Sequence, residues 1–278
     1  HRDLHLSLRR QRQMCIRDSA NSVLECGAGG RTGSWKIRGP DKVVNLRANK
    51  IGSECFRLWK ACDAQVGDDF QINPEDIEQK YFGVLTKLFN VARFASQFPV
   101  PSNLEDLSDN LQPEDEWILS EFQLVMTRVE QGWKEIDIYT AAQSLKNFAT
   151  GVLPSHWLEM VKSRLYDGDE AAAWTLHRIV RDLLDAFAPI CPFFSHYLSS
   201  TLYNRSAVEA DTFPQLNLNF ESEKWTELTE SVMFFNSEIW KMKKDQGLSL
   251  NSEIGGLSIP SNLDGLQISL TRMHKLID

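Results

Sequence analysis

The sequence predicts an all-α fold, an antiparallel helical bundle with a short strand or turn appended near its C-terminus. Three observations carry that prediction. Apolar residues recur three and four apart through most of the chain, the spacing of a buried helical stripe. Proline followed by acids, the signature of a first helical turn, stands at Pro74-Glu75-Asp76 and at Pro113-Glu114-Asp115-Glu116. Strand patterns are nearly absent before Gly256-Leu257-Ser258-Ile259-Pro260.

Residues 1–19 have no sustained period, and Arg12 to Ser19 (R-Q-M-C-I-R-D-S) resembles the translation of a sequencing adapter; we expect them to be non-native and disordered, the alternative being a basic RNA-binding arm. Residues 20–50 are glycine-rich and read as an irregular remnant. From Gly52 to Ala64 a short helix places Phe56 and Trp59 on one face. The helix opened by Pro74 buries Ile77, Tyr81, Val84, Leu88 and Val91 and runs to Phe98, where Pro99 and Pro101 stop it. A polar linker, Ser102 to Gln112, leads to the helix begun at Pro113, whose stripe is Ile118, Phe122, Val125, Val129 and Trp133. Residues 138–153 continue as helix, Pro154 breaks it, and Ser155 to Tyr166 restarts it. After the Asp167-Gly168-Asp169 turn, with Asp169 as cap, Leu176, Ile179, Val180, Leu183 and Phe187 mark the next buried face. Phe193 to Tyr203 is helical. One long helix then carries Trp225, Leu228, Val232, Phe235, Ile239 and Met242, with Ser222 as its cap, Lys241, Lys243 and Lys244 complementing the dipole of its last turn, and Gly247 as its left-handed stop. A last helix covers about Leu266 to Ile277. The domains expected are therefore 1–19, 20–50, a segment 51–72, a bundle 73–220 and a C-terminal helical extension 221–278.

The 278 residues carry 30 Lys+Arg against 38 Asp+Glu, a net charge of −8. Residues 1–50 hold 11 of those cations and 4 of the acids, a balance of +7, which leaves −15 on residues 51–278. A body so acidic excludes indiscriminate nucleic-acid binding and leaves room only for a local patch. Charges interrupt every apolar run, so no membrane span is expected, and the start shows no secretory signal. The odd set Cys15, Cys26, Cys55, Cys62 and Cys191, without metal-ligand spacing, reads as reduced thiols of a cytoplasmic protein. No metal cluster or catalytic constellation is seen. The stretch Gly27 to Ser34 lacks the lysine, strand and helix of a phosphate loop.

The best binding candidate is the helix from Ile77 to Phe98. Between Lys80 and Phe98 lie Lys80, Lys87, Arg93 and Asn90 and no acid, a face suited to phosphates and a base edge. A solvated face is the plainer reading. A second candidate joins His156-Trp157 to Lys162 and Arg164, an aromatic for stacking beside two cations; the plainer reading makes Trp157 core. Arg57 and Lys60, at i and i+3, form a weaker third.

Five blocks give the chain a resemblance to valyl-tRNA synthetases of the archaeal-like type: G-S-E-C-F-R-L-W-K-A-C (52–62), K-L-F-N-V-A-R-F (87–94), W-L-E-M-V-K-S-R-L-Y (157–166), A-P-I-C-P-F-F-S-H-Y-L (188–198) and the run from Phe234 to Ile254. The Asn-Ser-Glu-Ile block at Asn251 points to valine over isoleucine or leucine. The resemblance implies a class I aminoacyl-tRNA ligase that uses ATP and Mg²⁺ to join valine to its tRNA. HIGH is absent, and Lys36 to Val44 stands where KMSKS should precede Gly52, so the fragment is expected to be inactive, to need no cofactor, and to yield no catalytic residue. What the resemblance implies is tRNA contact: a stem-contact region at 51–72 and an anticodon-binding bundle, with Lys87, Asn90, Arg93, Trp157, Lys162 and Arg164 near the anticodon loop and Arg57 and Lys60 nearer the stem. A monomer is expected. The alternatives are a relative specific for isoleucine, leucine or methionine, and a helical scaffold with protein partners.

Overall fold

The computed structural model describes residues 17–18, 22–26, 34–38, 43–47, 52–63, 77–207 and 213–277. The disorder expected for residues 1–19 lies outside them except at Arg17 and Asp18. The irregular segment expected at 20–50 is corrected where it is described: β2 (Ser22–Cys26), β3 (Ser34–Arg38) and β4 (Val43–Arg47) pair antiparallel in sequence order, with β1 (Arg17–Asp18) ahead of the segment and paired to β2. Their register aligns Leu24, Ile37 and Val44 in one row and Cys26, Trp35 and Leu46 in another. That is a period-two pattern spread over three five-residue strands, too short in each to stand out between glycines and charges. Of the Lys36–Val44 stretch, residues 36–38 and 43–44 thus lie on paired strands in which Ile37 opposes Val44.

From Ser53 the architecture is helical. Helix α1 (Ser53–Asp63) buries Cys55, Leu58, Trp59 and Cys62. A wide π-helical turn, Ile77–Tyr81, passes into α2 (Phe82–Ala95). Its core face is the expected one, Ile77, Tyr81, Val84, Leu88 and Val91 all being buried, but α2 ends at Ala95 rather than Phe98. The proline-plus-acid start of α3 (Pro113–Glu135) forms a reciprocal cap, the Gln112 N–H donating to Asp115 Oδ2 at 3.0 Å. Helix α3 turns sharply into α4 (Ile138–Asn147) through Ile136, held left-handed at φ 62°. The close approach requires Gly132, where a Cβ would sit 2.8 Å from Asp137 O and 3.0 Å from Ala141 Cβ.

Pro154 does not break the chain as expected. The backbone widens into a ten-residue π-helical segment, Phe148–Trp157, that carries the proline through to α5 (Leu158–Tyr166). A wider turn relieves the clash that a proline ring makes with the carbonyl one turn back. Asp169 caps α6 (Glu170–Phe187) as expected, accepting from Ala172 N–H at 2.9 Å. All five expected core residues of α6 are buried, packed with Trp117, Phe122, Phe148 and Trp157. The 102–112 linker, far from loose, is pinned by α6: Arg178 Nη1 donates to Leu104 O at 2.7 Å and Trp174 Nε1 to Asn103 O at 3.0 Å.

Helix α7 (Pro192–Tyr203) completes the bundle. The long helix expected after Ser222 is two, α8 (Glu223–Thr226) and α9 (Thr229–Asp245), and Ser222 makes no capping bond. Each side of the break is fastened to α3, Trp225 Nε1 donating to Glu116 Oε2 and Trp117 Nε1 to Thr229 Oγ1, and these anchors override helical continuity. Gly247, at φ 68°, ends α9 as expected. The expected strand at 256–260 is displaced to β5 (Ile254–Gly255), paired parallel to β6 (Leu276–Ile277), and the last helix, α10 (Gln267–His274), stops short of Ile277 because those residues pair with β5. No helix among the described residues is long and apolar enough to cross a membrane.

Candidate nucleic-acid interface

The structure separates the expected site residues into three groups, one turned outward, one turned mostly inward and one divided. On α2 the core takes one side, and about 100° per residue puts Asn90 and Arg93 near the crest of the other. Lys87, Asn90 and Arg93 are all exposed. Lys87 Nζ donates to Thr150 O at 3.3 Å, and among the described residues neither Lys87 nor Arg93 has a carboxylate partner and Asn90 makes no side-chain hydrogen bond. Lys80, by contrast, reaches back to Asp63 at 3.2 Å and ties α1 to the entrance of α2.

Sequence reasoning missed the aromatics of this ridge. Phe82 is 64% exposed and Phe89 38% exposed. Spacing alone signals them: Phe82, Thr86, Phe89 and Arg93 fall at i, i+4, i+7 and i+11, a second stripe on the side away from the core. At the far end of α2, Tyr166 stands 62% exposed against Phe94 and Phe98, ring centroids 6.2 and 5.7 Å away. The ridge therefore offers π-faces, two cations and a free amide on one helix.

The second group turns inward and corrects the expectation of a stacking turn. Trp157 is fully buried and lies within the core, so it has no face for a base. His156 is buried against Asn236. Arg164 is buried among three carboxylates, with Nη1 donating to Glu114 at 2.9 Å, Nη2 to Asp115 at 2.7 Å and Nε to Asp169 at 2.9 Å. Burial pushes the Asp115 carboxyl up to about 6 against the pull of Arg164 and of the Gln112 N–H. Burial acts the same way on Asp169, but Arg164 and the Ala172 N–H outweigh it and hold that group below the usual range. Arg164 thus clamps the starts of α3 and α6 to the end of α5. Lys162 remains on the surface, paired to Glu159 at 3.0 Å.

The third group is divided. Arg57 Nε donates to Ile190 O at 2.7 Å and Nη2 to Pro189 O at 3.2 Å, while Glu54 accepts from the Phe194 N–H at 3.1 Å. The Ala188–Phe194 turn is thereby the seat of α1, and Arg57 is a staple with its guanidinium engaged. Lys60 is exposed, its Nζ 5.7 Å from the centroid of the Trp59 ring. Of the three lysines ending α9, Lys243 is fully buried, donating to Leu250 O and His274 O at 2.8 Å each, so dipole complementarity on the surface does not describe it. Burial pushes the Cys62 thiol up to about 12 and that of Cys191 up as well, which leaves neither a nucleophile at neutral pH. Among the described residues no group of His, Cys, Asp and Glu is placed to hold a metal ion.

Comparison with known proteins places this geometry. The family model for the anticodon-binding domain of tRNA ligase matches residues 115–258. A valine–tRNA ligase of Pyrobaculum aerophilum is 31% identical over 253 residues, 85% of this chain and 30% of that protein. One from Saccharolobus solfataricus is 30% identical over 75% of the chain and 24% of that protein, and one from Nanoarchaeum equitans 27% identical over 82% and 29%. The chain spans less than a third of the length of these relatives. A solved LeuRS of Agrobacterium radiobacter K84, in a ternary complex with tRNA and LeuAMS, superposes with a TM-score of 0.51 at 16% identity, covering 61% of this chain and 20% of that one, which speaks for the shared fold alone.

Proposed function

Because the chain belongs to the family of anticodon-binding domains of tRNA ligases, we propose that it is the tRNA-binding part of a valine–tRNA ligase. The observation that carries the reading is the α2 ridge, where Lys87, Asn90 and Arg93 stand outward without a carboxylate partner among the described residues, on a body of strongly negative charge. In this reading Lys87 and Arg93 take phosphates of the anticodon loop, Asn90 meets a base edge with its two-way amide, and Phe82 and Phe89 stack unpaired bases. Lys60 and Lys162 add surface charge at the margins. Trp157, Arg164 and Arg57 act by holding the bundle and α1 in place. Valine, ATP and Mg²⁺ are substrates and cofactor of the whole ligase, acting in the cytoplasm, while this part acts as a monomer that needs neither nucleotide nor metal and performs no ligation by itself.

The experiment is direct binding of purified chain to valine tRNA across a salt series. We expect affinity to fall steeply as salt rises, with a slope near −0.7 per phosphate contact on single-stranded RNA, and to drop when the anticodon is exchanged for that of isoleucine, leucine or methionine. Equal affinity for an unrelated duplex RNA contradicts recognition of an anticodon loop.

A further inference from the structure

We propose that His156, Asn236 and His274 form a proton-operated latch that fastens the C-terminal helices α9 and α10 to the bundle. Asn236, fully buried on α9, stands between the two rings: its Nδ2 lies 2.9 Å from His156 Nδ1, in the π-helical segment, and its Oδ1 2.7 Å from His274 Nε2, at the end of α10. Trp240 closes the site, its ring centroid 5.3 Å from that of His156 and 6.1 Å from that of His274, with Phe235 5.9 Å from His274 on a further side.

A primary amide presents one donor group and one acceptor atom. Whichever way Asn236 is turned, one facing ring nitrogen must carry a hydrogen and the other a lone pair. The accepting ring is therefore neutral in the docked state, and burial beside the Lys243 ammonium disfavours charge on the donating one. A proton added to the accepting ring sets two donors against a single acceptor and leaves a buried charge with no counter-ion. The surrounding groups worsen that. From α9 comes Lys243, whose ammonium donates to His274 O, and Lys275 follows His274 directly. The charges of α5, which packs on α10, are engaged elsewhere, Lys162 with Glu159 and Arg164 with Glu114, Asp115 and Asp169. No carboxylate among the described residues is bonded to either ring or to Lys243. Burial, then Lys243 and His156, drive His274 down to about 4, and burial lowers His156. A released ring takes its proton near the ordinary value of about 6.5. The undocked state thus binds more protons below that pH. Docking is complete above it and is lost progressively as pH falls towards 4.

The test is amide hydrogen exchange on the full chain, corrected for intrinsic rates, at pH 7.5 and pH 5.0, beside NMR titration of the histidine rings. Amides of α9 and α10 should lose protection about thirtyfold, the factor that about 1.5 units of linked protonation of one ring gives, while α3 and α6 keep theirs, and both rings should titrate below the ordinary value. Loss of protection in α3 and α6 in step with α9 and α10, or either ring titrating at or above that value, overturns the latch. Asn236→Asp supplies an acceptor-only group that suits two protonated rings, so its α9 and α10 should be at least as protected at pH 5.0 as at pH 7.5; a wild-type response in that variant equally overturns it. His196→Gln, exposed on α7, should respond as the wild type does, and loss of its pH response overturns the assignment to these rings.

Discussion

The α2 ridge and the Trp157–Arg164 turn look alike in sequence, each an aromatic with cations on a short stretch of helix, yet one faces solvent and the other the core. The difference lies in partners that are remote along the chain. Arg164 meets Glu114 and Asp115, 50 and 49 residues upstream, and its own Asp169. Among the described residues Arg93 meets no acid, and between Lys80 and Phe98 the sequence has none. A cation is thus read as a binding group or a clamp by whether the fold brings a carboxylate to it, which local spacing cannot report. The acid-free run around α2 is the one local clue that separates the two.

The largest effect should come from the inward region. Arg164→Ala leaves Asp115 and Glu114 buried without their cation, and should cost about 3–5 kcal/mol of stability in denaturant unfolding. Trp157→Ala, a core truncation, should cost a comparable ~3–5 kcal/mol. If either variant keeps its stability and loses only RNA affinity, the two regions are not different in kind. Next comes the ridge: Phe89→Ala should weaken binding to valine tRNA by about 1–3 kcal/mol, the worth of one base stacked on an aromatic, with unfolding little changed. Arg93→Ala should reduce the salt slope of binding by roughly 0.7, the share of a single neutralised phosphate. The smallest effect belongs to Lys162→Ala, which removes an exposed pair with Glu159 and should change stability by no more than about 1 kcal/mol.

The bundle is legible because its signals are local and redundant. Pro113 with its acids, Asp169 as cap, Gly247 as stop and the stripes through Val84, Phe122 and Leu183 all settle where the sequence places them. What sequence reading loses is set by tertiary contact. Pro154 is absorbed in a widened helix, and the break between Thr226 and Thr229 follows from Trp225 and Trp117 bonds to distant partners. The four-stranded meander escapes notice because its register, with Leu24, Ile37 and Val44 in line, exists only once the strands pair. In the candidate site, Lys87, Asn90 and Arg93 are found by the absence of acids. Phe82 and Phe89 are passed over because apolar residues in a helix are assigned to the core by default.

The account turns on a division of labour between the two regions, and reversing both charges of the ridge measures it most directly. In the double variant Lys87→Glu, Arg93→Glu, thermal unfolding and affinity for valine tRNA at low salt are recorded on the same preparation. The account predicts a melting temperature within about 2 °C of the wild type, as for exposed substitutions, and affinity reduced by more than about tenfold, as expected when two cations that neutralise phosphates are replaced by anions. Unchanged affinity, or a loss of affinity matched by a loss of folding, would contradict it.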